Sequence, residues 1–284
     1  MQKSCYSKKH IVFKEGLLDN IADAIYVLTM ENSKRENAFM NQINEFKLHK
    51  NIFIMKNKGY KNCIKQVCNN DNTDCVIINN TESDAVNAYI NALKHAVFMN
   101  YNKIIILEDD FICSPELKNI RHIKNIEKIT KNMSKNLFSF GVLPYMTTYY
   151  NNYLRRSFLS LGAHATLIPK YFFKELIQKE SNICEMDTYL SFVGNKYIYY
   201  KPLITQTFPI TDNFNNWGNN CAGKKFGSIY RFFVKKLINS LDLDNKAEPG
   251  TSRMYLINRI IYDYFIPSII LLVSLFYIMK IKGT

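Results

Sequence analysis

Lys103–Pro115 reads KIIILEDDFICSP. The aliphatic run Ile104–Leu107 is too short for a helix and reads as a buried strand. Three carboxylates, Glu108, Asp109 and Asp110, follow it without a break. Like charges packed together repel, and burying them unpaired is costly. A cation relieves that cost, and oxygen ligands on a tight turn suit Mn²⁺ or Mg²⁺. The plain alternative is an acidic turn bathed in water. Its place at the end of an aliphatic strand favours a site, because open α/β sheets bind ligands outside the carboxyl ends of their strands.

Working outward, Ala24–Leu28, Ile52–Met55 and Cys75–Ile78 also read as short buried strands. Between them lie the helical stretches Ser33–Lys47, Asp84–Met99 and Pro115–Ile129. In the second, Val86, Ile90, Leu93 and Val97 fall on one stripe, with Asp84, Asn87 and Asn91 on another face. Strands alternating with helices predict an α/β fold, a mostly parallel sheet flanked by helices, with a hydrophobic C-terminal helix. Beyond Phe138, the short apolar pieces Ala163–Ile168 and Tyr197–Tyr200 alternate with polar-aromatic loops, one of them Tyr145–Tyr153.

The 284 residues are 47% hydrophobic and 21% charged, which excludes wholesale disorder. A net charge of +13 favours an anionic partner. The charge is dispersed, without a recognition motif, so nucleic acid is not the expected partner. Seven scattered cysteines without a C-x-x-C pair read as mostly reduced thiols rather than a disulfide scaffold or zinc site. The opening residues lack the apolar core of a secretory signal. Tyr264–Met279 carries no charge, is apolar all round and reads as a membrane anchor of borderline length. Lys224–Arg259 before it is basic and amphipathic, either a solvated helix or a cationic surface facing lipid. The expected divisions are a basic extension (1–23), a catalytic domain (24–223), the basic amphipathic segment (224–259) and the hydrophobic tail (260–284).

No Walker-type or dinucleotide-type glycine loop occurs, so any phosphate must be held by metal and basic side chains. With that, residues 91–117, NALKHAVFMNYNKIIILEDDFICSPEL, resemble the helix, strand and acidic turn of GT-A fold glycosyltransferases. They are most similar to family 25, the lipopolysaccharide and collagen galactosyltransferases. IYVLTMENSKREN (25–37) resembles that family's opening strand and turn, and LGAHATLIPKYFFKELI (161–177) a later segment. EMDTYL (185–190) and KPLITQ (201–206) are similar to its following elements. The family's G-C-x-x-S-H is replaced by SDAVNAY (83–89), and its S-D-I by TDN (211–213).

The resemblance implies a metal-dependent transferase taking a nucleotide-sugar, with a UDP-sugar favoured, to a glycan, lipid-linked or protein hydroxyl, with inversion. It makes Asp110 the first metal ligand, with Asp109 beside it. Glu108 and Asp109 would orient the ribose or donor sugar. It also makes Asp187 the base, with Glu185 in reserve. Arg35, opening the first helix, is a candidate for the diphosphate. Asp84 and Asn87 begin the helix facing the same strand ends and are candidates for base or ribose. Asp212 completes the donor or metal site, while Trp217 and Phe214 offer a stacking platform to the acceptor sugar. His164 reads as a satisfied core histidine. The expected setting is membrane-associated, with a single C-terminal anchor and a cytosolic catalytic domain. The competing readings are a membrane-anchored scaffold of the same fold without turnover, and a metal-dependent nucleotidyltransferase.

Overall fold

The computed structural model describes residues 4–68, 75–193, 195–208 and 219–282. The chain runs through β1 (Tyr6–Val12), β2 (Ala24–Met30), α1 (Glu36–Phe46) and β3 (Asn51–Asn57). A small antiparallel pair, β4 (Gln66–Cys68) and β5 (Cys75–Ile77), precedes α2 (Thr81–Phe98) and β6 (Lys103–Glu108). Then come β7 (Phe111–Cys113), α3 (Ile120–Lys131), β8 (Asn136–Ser139), β9 (Leu143–Asn151), β10 (Leu154–Leu161) and β11 (Ala165–Pro169). The remaining elements are α4 (Lys170–Gln178), α5 (Met186–Phe192), β12 (Asn195–Tyr199), β13 (Ile204–Gln206), α6 (Asn219–Ser240), α7 (Gly250–Arg259) and α8 (Ile266–Lys282). A π-helical turn, Ile260–Phe265, joins the last two.

Nine strands form one sheet in the order β1-β3-β2-β6-β11-β8-β12-β10-β9. Pairing is parallel at β2–β3, β2–β6 and β8–β12 and antiparallel elsewhere. The sheet is therefore mixed, and the expected parallel pairing is concentrated around the acidic turn. The split of side chains between its faces follows the two-residue period of a strand. Ile105 and Leu107 of β6, with Ile25 and Val27 of β2, pack beneath Phe39 and Ile43 of α1 and Ile126 of α3. Ile104 and Ile106, with Tyr26 and Leu28, pack on the other face beneath Val86, Ile90 and Leu93 of α2. Each such aliphatic side chain, fully buried, contributes roughly 1.5–3 kcal/mol.

Several expectations change. Cys75–Ile77 is not a buried core strand: Val76 and Ile77 are exposed, and among the described residues the strand pairs with β4 alone. The Tyr145–Tyr153 stretch lies in the β9–β10 hairpin at the sheet edge, where tyrosine and threonine suit a half-exposed pleated surface. β1, within the segment read as an extension, is the opposite edge strand, paired along its length with β3. The reduced-thiol reading is overturned. Cys5 is bonded to Cys63 and Cys68 to Cys75, Cys184 is disulfide-bonded as well, and Cys113 is a buried free thiol. Scattered spacing failed as a guide because both mapped pairs are made by the fold, one across β1 and the loop after β3, the other across the β4–β5 pair.

The C-terminal helix runs from the sheet edge into an exposed apolar stretch. Gly250–Ser274 is long and apolar enough to cross a membrane, with mean hydropathy 1.6 over its most apolar window. At its root, Asn258 donates to the backbone carbonyls of Pro144 and Tyr145 and accepts from Thr147. Arg155 of β10 grips both oxygens of Asp263 at 2.5 and 2.8 Å.

Candidate functional site

The chain goes from β2 through α1 to β3 on one side, then through α2 to β6 on the other side of β2. Such a reversal leaves a crevice at the carboxyl ends of the two central strands. Leu28 of β2 lies opposite Glu108 of β6, so Thr29–Arg35 and Glu108–Asp110 leave the sheet side by side. β11 enters the same end from the other flank, where the Glu108 amide donates to the carbonyl of His164.

Within this crevice Asp109 is fully engaged. One of its oxygens accepts from the hydroxyls of Thr29 (2.7 Å) and Ser33 (2.6 Å), the other from Nη1 of Arg35 (2.9 Å). Asp109 is thus a bracket between the two strand ends, and its expected role as metal ligand is not supported by this bonding. Asp110 is freer: Oδ2 lies 3.6 Å from Arg35, and Oδ1 is buried without a hydrogen-bond partner among the described residues. Loss of solvation, opposed by Arg35, pushes Asp110 up to about 7. Glu108 accepts from the hydroxyl of buried Tyr89 at 2.9 Å. Desolvation and the charges of Asp187 and Asp110 hold its carboxyl well above the ordinary range.

Asp187 arrives from the first turn of α5. Its two oxygens accept from the amides of Gly162 (2.9 Å) and Ala163 (2.8 Å), the residues leading into β11. Gly162 has φ +98°, and a Cβ there would sit 2.5 Å from Nδ1 of His164, so this tight amide cradle requires glycine. Desolvation raises the Asp187 carboxyl despite those amides and the charge of Lys196. Four carboxylates and Arg35 therefore converge, although the sequence separates them by up to 152 positions (35 to 187).

The other expected residues are placed differently. Asp84 is paired with buried Lys65 and also accepts from Asn57 and the Tyr60 amide. Asn87 bridges the Tyr6 hydroxyl and Glu180. Both are held by structural partners rather than by the acidic crevice, and Asn80 caps α2. Glu185 is the N-cap residue of α5 and accepts from Thr188, a local role. Asp212, Phe214 and Trp217 lie outside the described residues.

The fold also supplies groups that had not been singled out. Tyr89, one turn along α2 from Val86, holds Glu108; Thr29 and Ser33 hold Asp109. Gln206 of β13, opposite Phe111 in the strand that follows Asp110, has a buried unpartnered Oε1. Lys196, fully buried at the start of β12, has an ammonium without a hydrogen-bond partner among the described residues, and burial pushes it down to about 8. Thr29, Ser33 and Gln206 lay within the quoted family-like stretches. Lys196 carried no signal, since a lone lysine in NKYIY reads as facing solvent. His164 is a core histidine, buried and pushed down to about 3.

A divalent cation fits this donor set in one limited way. Among the described residues no group of three or more side chains is arranged to hold a metal alone. Mg²⁺ in nucleotide sites takes one or two carboxylates and completes its shell with phosphate and water. The orphaned Oδ1 of Asp110 suits that arrangement, with Glu108 beside it.

No family model and no curated protein matches the chain. Among solved structures, the crystal structure of A197 from STIV is similar over 66% of this chain and 86% of its own, at 11% identity and a TM-score of 0.41. A likeness at that level carries no functional conclusion.

Proposed function

We propose that this chain is a membrane-anchored, nucleotide-sugar-dependent glycosyltransferase of the GT-A type. One observation carries the reading: Glu108, Asp110 and Asp187 converge with Arg35 at the reversal point of the sheet, and the Asp110 carboxylate has an oxygen left without a partner. Asp110 and Glu108 would hold Mn²⁺ or Mg²⁺, which when bound neutralises charge on a departing nucleoside diphosphate. Arg35, bracketed by Asp109 and half-exposed, is positioned to donate to a phosphate oxygen. Asp187 is the candidate base. Its carboxylate is oriented by two amides, and its raised affinity for protons suits removal of a proton from an acceptor hydroxyl. An inverting transfer, a UDP-linked donor and a glycan, lipid-linked or protein acceptor remain part of the proposal through the resemblance in residues 24–212.

The disulfides bear on orientation. Such bonds form and persist in oxidising compartments. They favour a catalytic domain on the side of the membrane away from the reducing cytosol, the reverse of the side expected from the opening residues.

Calorimetric titration of the full chain with UDP, GDP and CMP, each with Mn²⁺ and with EDTA, tests the reading. Metal-dependent binding of one nucleotide, lost in Asp110→Ala, is the expected outcome. A folded sample that binds none of them overturns it.

A further inference from the structure

The helix α6 has two apolar sides. Val234 and Ile238 face inward, packed with Leu143, Leu161 and Met254. Turned away from them at helical spacing are Ile229, Phe232 and Phe233, exposed by 50%, 55% and 64%. A helix resting on a water-exposed protein surface needs one apolar stripe, not two. Lysines accompany the outer face: Lys235 and Lys236 are exposed, with the Lys236 ammonium 5.0 Å from the centre of the Phe232 ring. That combination of aromatic rings and ammonium groups is the composition of a helix lying in a membrane interface.

The position of α6 says what covers it. It shares its inner cluster with Met254 of α7, and α7 continues without a break into the apolar helix that is long enough to span a bilayer. Leu256, Ile257, Ile260 and Ile261, in the first half of the Gly250–Ser274 span, are exposed as well. Beside its root stands the β9–β10 hairpin, where Arg155 holds Asp263 and exposed Tyr149, Tyr150 and Tyr153 form the tip. Tyrosines at this level match the aromatic belt of a membrane–water boundary.

The geometry points to a second membrane contact: the outer face of α6, seated in the headgroup region of an anionic bilayer, with the hairpin tyrosines beside the anchor. The domain is then held at two places and cannot swing freely on its tail. The carboxylate crevice keeps a set height above the bilayer, which suits an acceptor presented at its surface. This inference rests on the tail entering the membrane, and the test separates the two.

The full chain would be reconstituted in nanodiscs of phosphatidylcholine with a quarter phosphatidylglycerol. Spin labels would be placed singly at Phe232→Cys, at Leu272→Cys in the tail and at Asn44→Cys on the exposed side of α1. Collision with oxygen against a water-soluble nickel complex reports depth. The expected result is a several-fold higher oxygen-to-nickel ratio at 232 than at 44, at a depth shallower than 272. A lipid-buried 272 with a 232 as wet as 44 overturns the second contact and leaves the anchor standing. A wet 272 overturns both. Dipolar broadening between labels at 232 would identify a second copy as the occupant and overturn the lipid assignment.

Discussion

Lys196 is the residue whose surroundings cost the fold most visibly. Among the described residues it has no solvent exposure, no hydrogen-bond partner for its ammonium, and the charge of Asp187 alone to favour its ionised form. Its pKa falls from 10.5 to about 8 on folding. A lysine depressed in this way releases protons on folding, so it costs nothing well above the unfolded value near 10.5, and its penalty builds as pH falls from there to about 8. Below that point the folded state carries the full penalty, roughly 3 kcal/mol. Lys196→Met removes the titration. The difference in unfolding free energy between native chain and variant should therefore shift by about 3 kcal/mol in favour of the native chain between pH 7.5 and 10.5. Urea unfolding of detergent-solubilised protein at both pH values measures it. A difference that stays constant with pH would mean that the ammonium is hydrated in solution.

Among the elements, the join between the β9–β10 hairpin and the C-terminal helix is the least expected. Asp263 falls at the edge of an apolar segment, where a lone carboxylate would oppose entry into lipid. Arg155 neutralises it with two hydrogen bonds, and its own side chain is almost fully buried. Removing one partner of such a pair strands the other charge. Arg155→Ala should destabilise the domain by about 3 kcal/mol, read as a lowered thermal midpoint in detergent. Replacing both, Arg155→Met with Asp263→Leu, should recover most of the loss. A double variant as weak as the single would show that the arginine acts through something other than Asp263. This pairing was not legible in the sequence, because 108 positions separate its members and neither stands in a motif. The core was legible: Ile104–Leu107, Ala24–Leu28 and Ile52–Met55 are aliphatic runs whose burial on both faces follows from helices on either side. The acidic turn was legible too, since three carboxylates cannot stand after a buried strand without consequence. The partners that decide which carboxylate is free, Tyr89 for Glu108 and Thr29 and Ser33 for Asp109, are set by strand register. Register is a property of the assembled sheet.

For the whole molecule, the disulfides bear on how the sheet edge is held and on the compartment proposed for the domain. Cys5–Cys63 ties the residue before β1 to the loop after β3, closing a sequence separation of 58. Constraining the unfolded chain over a loop of that length is worth about 4 kcal/mol in the chain-entropy account. β1 is an edge strand whose Lys8, Lys9 and His10 are exposed, so it relies on its ladder to β3 and on this link. Cys5→Ser should lower stability by about 2–4 kcal/mol, with the loss concentrated in faster amide exchange along Tyr6–Val12. The acidic crevice, built from β2, β6, β11 and α5, should keep its arrangement, and with it the proposed nucleotide binding, because none of its carboxylates lies on β1. Thiol mapping supplies the prior check. Alkylation of the denatured chain without reductant should leave Cys5, Cys63, Cys68, Cys75 and Cys184 unmodified and label Cys113, whereas reduction first should label all seven cysteines. Labelling of Cys5 and Cys63 before reduction, in protein recovered from the membrane of the producing cell with thiols trapped at lysis, would place the sheet and its acidic crevice in a reducing compartment. The edge strand would then be held by its ladder to β3 and by the packing of Tyr6, His10 and Ile11.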